Sequence, residues 1–299
     1  MTNRRNFMRY AAAATLAAAT PVSLLGAHHK GLLSRKIPGT DESLPIIGLG
    51  NSSVFREDDP TAARELIDLF LDRGGRYIDA GGPSRFNVGR ILRELNVADG
   101  AFVGNYLDVQ EAQAMREEAR AVAVGQGKTA LDLVHTRDVS AYRERIGNYR
   151  HLKDEGLVRY IGVARSGEQA FPAITRLIED GLVDFVQVNY SMMEPKAADR
   201  LLPTAMDNGV AVNINRPFIN GDYFDIVKGQ ELPEWAAEFD CASWAQFSLK
   251  YIIAHPAINC VLTETSNPKH ALDNLGAGIG RLPDEPTRRR MRAVIQALM

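Results

Sequence analysis

Two cysteines among 299 residues, Cys241 and Cys260, are too few for a disulfide framework, and both read as packed thiols. The six histidines are scattered, with no metal-ligand spacing to cysteines or carboxylates, so no metal site is expected. An excess of one charge is also missing, with 35 basic residues against 37 acidic. No basic tract and no aromatic-basic patch is present, which argues against nucleic acid as a partner. There is no apolar run of spanning length. The longest, from Ala11 to Leu25, is short and broken by Pro21, so no stable membrane anchor is expected. No cysteine lies near its end to take a lipid.

What the amino terminus does hold is Asn-Arg-Arg-Asn-Phe-Met-Arg at residues 3–9, followed by that mildly apolar, alanine-rich run. The pattern resembles a twin-arginine export signal, and residues 1–30 are read as that segment. It predicts the twin-arginine export machinery as a partner and a periplasmic or otherwise exported location. Cleavage after Ala27 fits, although Leu25 is large where a small residue is preferred.

From residue 35 onward short apolar runs alternate with helical patterns, which argues for βα units and a parallel sheet. Eight candidate strands are Pro45–Leu49, Arg76–Asp79, Ala101–Asn105, Ala130–His135, Arg159–Val163, Phe185–Val188, Val210–Ile214 and Asn259–Leu262. Between them, Ala63, Leu66, Ile67 and Phe70 repeat as one apolar helix face, and glycine stops follow at Gly156, Gly181 and Gly209. The unit at 106–129 has poor apolar periodicity, 219–242 reads as a surface loop, and 283–299 reads as a final helix. The predicted fold is α/β, a single (β/α)8 TIM barrel over residues 35–299 with an extra C-terminal helix. In such barrels the chemistry sits at strand carboxyl ends. Here these carry Asn51, Asp79, Asn105, Tyr106, His135, Arg165, Gln187, Asn189, Asn215, Arg216 and Glu264.

Three segments carry a family resemblance: GLVRYIGVARS (156–166), VDFVQVNYSM (183–192) and TETSNPKHALDN (263–274). With LPIIGLGNSSVF (44–55) and the strand ending in His135, they resemble the aldo-keto reductases over roughly residues 35–280, and AVNINRPF (211–218) together with WAAEFDCASWAQFSLKYIIAHPAINCV (235–261) looks like an exported bacterial branch of that family. The resemblance implies hydride transfer between a nicotinamide, NAD or NADP, and a small-molecule carbonyl or alcohol substrate. In the family a tyrosine acid is tuned by a lysine and an aspartate, and a histidine orients the carbonyl. Asp79 and His135 match the last two. The tyrosine position is Ser84, too weak an acid and too short, and the lysine position falls on Tyr106, with Asn105 as the alternative. Either the site is rebuilt, with Tyr106 or His135 donating the proton, or it has drifted and the barrel is a non-catalytic ligand-binding or interaction protein. Without its lysine, Asp79 is expected to meet Arg85 or backbone amides.

The resemblance places cofactor contacts at Gln187 for the nicotinamide amide, and at Thr265, Ser266, His270, Asp273 and Asn274 for the phosphate and adenine end. The usual serine-asparagine grip is Ala164-Arg165, and the stacking aromatic is replaced by Asn215. Glu264 sits beside the 2′-phosphate position and disfavours NADP. Ser266, Asn267 and Pro268 also read as an ordinary helix cap.

Overall fold

The structure is a computed structural model, and it describes residues 31–299. The export segment predicted over 1–30 lies outside the described residues. The chain opens with an antiparallel hairpin of β1 (Ser34–Lys36) and β2 (Ser43–Pro45). Eight strands then close a parallel barrel in chain order: β3 (Ile47–Leu49), β4 (Tyr77–Ala80), β5 (Phe102–Tyr106), β6 (Leu131–Thr136), β7 (Val158–Ala164), β8 (Phe185–Asn189), β9 (Ala211–Asn215) and β10 (Ile258–Thr263), with β10 returning to β3. This is the predicted (β/α)8 TIM barrel, each strand lying within two residues of its expected place.

The helices are α1 (Thr61–Asp72), α2 (Ser84–Glu94), α3 (Ala112–Gly125), α4 (Val139–Asp154), α5 (Phe171–Glu179), α6 (Leu201–Asp207), α7 (Asp222–Ile226), α8 (Trp244–Ile253), α9 (Pro268–Gly276) and α10 (Glu285–Leu298). The strands are buried on both faces, which is why they read as continuous apolar runs. On α1 the buried residues are Ala63, Leu66, Ile67 and Phe70, the face the spacing predicts. Past the end of α4, Gly156 takes φ +70°, a left-handed conformation that an L side chain resists. The final helix α10 is present as expected, and its Arg288 donates to the Tyr190 hydroxyl at 2.6 Å and the Tyr251 carbonyl at 3.0 Å.

The hairpin closes the amino-terminal end of the barrel. Ile37 and Leu44 join the interior cluster with Tyr77, Phe102 and Phe185. Glu42 pairs with Arg159 and accepts from the Tyr160 hydroxyl at 3.2 Å. Arg35 donates to the carbonyls of Ile253 and His255, each at 2.6 Å, and to that of Ile258. Residues 219–242 differ from the expected surface loop. They form α7 and two short turns of 3₁₀ helix, and Tyr223, Ala236 and Phe239 are buried. Phe239 packs against Phe247 with ring centres 6.3 Å apart and Tyr223 donates to the Trp244 carbonyl at 2.9 Å, so burial of these side chains removes apolar surface from water.

Candidate active site

Successive side chains on a strand point to opposite faces, so every second residue lines the interior. Low in the barrel that lining is apolar or aromatic, with Tyr77 and Phe102 edge to face at 5.1 Å. Two or four residues further along the same strands the inward positions become polar: Asp79 on β4, Tyr106 on β5, His135 on β6 and Gln187 on β8.

Three of these groups meet. The Tyr106 hydroxyl donates to Asp79 Oδ2 at 3.3 Å, and Gln187 Nε2 donates to the Tyr106 oxygen at 3.0 Å and to Asp79 Oδ2 at 3.5 Å. Asp79 Oδ1 and Gln187 Oε1 are buried with no partner among the described residues. Burial pushes the Asp79 carboxyl up to about 7, against the pull of the Gln187 hydrogen bond and the Arg137 charge. Burial, reinforced by the Asp79 charge, likewise raises Tyr106 well above an ordinary tyrosine, while Arg137 opposes the shift. His135 is fully enclosed, its ring 5.5 Å from that of Tyr106, and neither ring nitrogen has a partner among the described residues. Burial, then Arg137, depresses it to about 3, so it is a neutral imidazole at neutral pH. Neither His135 nor Tyr106 lines the cleft described below; of the polar cluster, Asp79 and Gln187 do.

Arg137 was not among the residues singled out from the sequence. Its guanidinium carbon lies 3.9 Å from the centre of the Tyr106 ring, a cation–π contact. Its sequence signal is a cation two residues beyond His135, just past the end of β6. Arg85, by contrast, does not meet Asp79. It begins α2 and faces α3, donating to the Tyr106 carbonyl at 2.8 Å and pairing with Glu118. The expected partner of Asp79 is therefore corrected to Tyr106 and Gln187. Asn105 points out of the barrel and accepts from Gln126 Nε2 at 2.6 Å, which leaves Tyr106 as the inward residue of that pair. Ser84 is buried at the start of α2, its hydroxyl without a partner among the described residues.

Above the polar cluster opens a cleft of about 500 Å³, lined by Asn51, Asp79, Gln187, Asn215 and Glu264 among others. A neighbouring cleft of about 330 Å³ is lined by Thr265, His270, Asp273 and Asn274. Phe218, Phe224 and Glu264 line both, so the two form one groove across the carboxyl mouth. The rings of Phe218 and Phe224 are 4.8 Å apart. Both were missed because they fall at the edge of, or inside, the segment read as a loop. Asp273 is already engaged, accepting from Ser243 Oγ at 2.7 Å and Gln246 Nε2 at 2.8 Å. Ser266 is exposed outside the groove. Asn267 caps α9 by accepting from the Lys269 amide at 2.9 Å, with Pro268 in the first turn. Asn215 accepts from Ser166 Oγ at 3.0 Å, and Arg165 is exposed toward a different cleft. Among the described residues no group of His, Cys, Asp or Glu is placed to hold a metal ion, and no helix is long and apolar enough to cross a membrane.

A parallel barrel with its polar groups gathered at the carboxyl mouth is the architecture of barrel enzymes. Residues 46–291 match the model of the aldo/keto reductase family, and the chain belongs to that family. An aldo-keto reductase from Bacillus halodurans superposes in its holo form with a TM-score of 0.71 at 18% identity, covering 89% of this chain and 96% of that one. Its apo form gives 0.69 at 19% identity with the same coverage. The NADH-specific methylglyoxal reductase of Escherichia coli (strain K12) is 28% identical over 115 residues, 36% of this chain. That match spans about a third, 34%, of the length of the curated relative.

Proposed function

We propose that the protein is a nicotinamide-dependent oxidoreductase interconverting a carbonyl and an alcohol, in which Tyr106 rather than residue 84 exchanges the proton. The observation that carries this reading is the Tyr106 hydroxyl bound to Asp79 and Gln187 beneath a continuous groove. The residues present fit a dinucleotide. Gln187 Oε1 is a buried, unpartnered acceptor at the cleft, suited to a carboxamide N–H, and Phe218 and Phe224 supply apolar faces that Asn215 cannot. Thr265, His270 and Asn274 line the far end, next to the amino terminus of α9. When bound, the nicotinamide supplies the hydride.

The chain's own groups divide the rest of the work. Tyr106 gives its proton to the nascent alkoxide, and the Arg137 guanidinium on the ring face stabilises the phenolate left behind. Asp79, holding a proton up to about pH 7, can return one to Tyr106 through their hydrogen bond. His135, neutral and enclosed, packs against the Tyr106 ring and fixes its position. Glu264 at the middle of the groove opposes any phosphate passing it, and a second phosphate on the ribose would add to the repulsion; NAD is favoured over NADP.

One observation favours a second reading, a barrel that binds without turnover: Tyr106 is pushed up, not down, and is a reluctant acid. Titration of the full chain with NADH and NADPH by intrinsic fluorescence, followed by NADH oxidation with methylglyoxal and other small carbonyls, separates the two. Binding with turnover supports the oxidoreductase, and Tyr106→Phe should then cost about 10² to 10⁴ in rate while cofactor binding stays unchanged. Binding without turnover establishes the second reading, and no binding at millimolar cofactor sinks the first. The proposed location is periplasmic or otherwise exported, on the strength of the arginine pair Arg4-Arg5. Recovery of the Arg4→Lys, Arg5→Lys double variant in the same exported fraction as the parent would overturn that location.

A further inference from the structure

A second cleft of about 570 Å³ opens on the same mouth, away from the groove, between the ends of β5, β6 and β7. Its walls carry the guanidinium groups of Arg137, Arg145 and Arg165. Two carboxylates face them, and both are engaged. Asp138 caps α4, accepting from the Ala141 amide at 3.1 Å and Ser140 Oγ at 2.7 Å, with Arg145 at 3.3 Å. Asp108 holds Arg137 at 3.4 Å. Arg165 makes no side-chain hydrogen bond or ion pair among the described residues, so three guanidinium groups against two carboxylates leave one surplus positive charge. The sixteen-residue helix α4 begins at the same cleft, with its positive end toward it.

The cleft is joined to the polar cluster by Arg137. A Cβ on Gly81 would lie 2.7 Å from Arg137 Nη2, 3.1 Å from Asn51 Nδ2 and 3.3 Å from Tyr106 Cδ2. Asn51 lines the groove and Arg137 lines the second cleft, so one wall residue of each space meets at Gly81, beside the Tyr106 ring.

We propose that this second cleft is the subsite for an anionic end of the substrate, so that the carbonyl compound taken by the enzyme is an oxo acid held by Arg165 and Arg137. The inference rests on the carbonyl–alcohol reading of Tyr106 for the reaction, but not for the binding. A single surplus charge suits a monocarboxylate better than a dianionic phosphate, and the planar guanidinium fork matches a carboxylate.

The test is calorimetric titration of the full chain, without cofactor, with pyruvate, 3-oxobutanoate and 4-oxopentanoate against their methyl esters and against inorganic phosphate. The expected result is that at least one acid binds about tenfold more tightly than its ester, and that Arg165→Gln removes this preference to within about twofold. The same variant should keep the parent's melting temperature and its NADH titration. Equal binding of acid and ester, phosphate outcompeting every acid, or an unchanged preference in Arg165→Gln would each overturn the proposal. In the parent chain, absence of any acid preference with NADH binding intact defeats the subsite alone; failure of NADH binding with the preference intact defeats the reaction alone.

Discussion

At the scale of residues, the site turns on which side chains face inward, and period-two alternation decides that. Asp79 and His135 are legible because each closes an apolar run near a strand carboxyl end, and Gln187 because it interrupts the apolar strand FVQVN at the place the family resemblance marks. The choice between Asn105 and Tyr106 needed the strand's phase. With Phe102 inside the barrel, residue 106 is inside and residue 105 outside, where it meets Gln126. Arg137 escaped notice because a loop has no period to betray its direction. Glu264 gives the residue-scale prediction. Its carboxyl is raised by partial desolvation at the groove seam, where it remains open to solvent, with Arg56 opposing. If a dinucleotide runs the length of the groove, an ionised Glu264 repels its phosphates. Glu264→Gln should therefore tighten NADH binding several-fold, on the order of 1 kcal/mol for removing one screened like charge. Parent binding should also strengthen as the pH falls and Glu264 takes up its proton. Fluorescence titrations at pH 5 and 8 check both, and an unchanged Kd in the variant would remove Glu264 from the groove's electrostatics.

At the scale of elements, the eight strands were readable because burial on both faces leaves little but apolar residues in them. Helix α3 was faint because its buried face relies on Ala119 and Ala123 beside Met115 and Val122, and alanine scarcely raises the periodic signal. The hairpin strands have three residues each, too few to show an alternation. The 219–242 segment turns through positive φ at Gly221 and Gly229 but also at Ile219, Asn220 and Asp240, and these three non-glycine turns carry no sequence mark of their conformation. One close approach has a measurable consequence. A Cβ on Gly162 of β7 would stand 2.2 Å from the Phe185 carbonyl oxygen of β8 and 3.1 Å from His135 Cδ2. Neither neighbour can move freely, since one is backbone and the other is wedged against Tyr106. Gly162→Ala should cost about 3 kcal/mol in denaturant unfolding. A loss below about 0.5 kcal/mol would show that β7 and β8 part more easily than their close packing implies.

At the scale of the whole molecule, two buried groups give stability opposing pH dependences. Asp79 has a folded pKa of about 7, above its unfolded value near 3.8, so the folded chain holds the extra proton and stability falls as pH rises between those values. His135 has a folded pKa of about 3, below 6.5, so the unfolded chain holds the extra proton and stability falls as pH drops through that range. Each shift corresponds to roughly 4 to 5 kcal/mol when fully developed, and between roughly pH 4 and 6.5 the slopes cancel. Asp79→Asn should therefore unmask the histidine: stability then rises with pH up to about 6.5, and at pH 8 the variant exceeds the parent. Urea unfolding at pH 4.5, 6.5 and 8 measures this, and a variant as flat as its parent would contradict it. The hairpin adds a different kind of constraint. Because Ile37, Leu44 and the Glu42–Arg159 pair stop the far end, the barrel is a cul-de-sac for protons as well as for ligands. A proton shed by Tyr106 or Asp79 is directed to the carboxyl mouth, where the groove and the second cleft open. Whatever fills that mouth cuts the inner groups off from bulk solvent, and a proton released there must wait for the occupant to leave or travel out upon it.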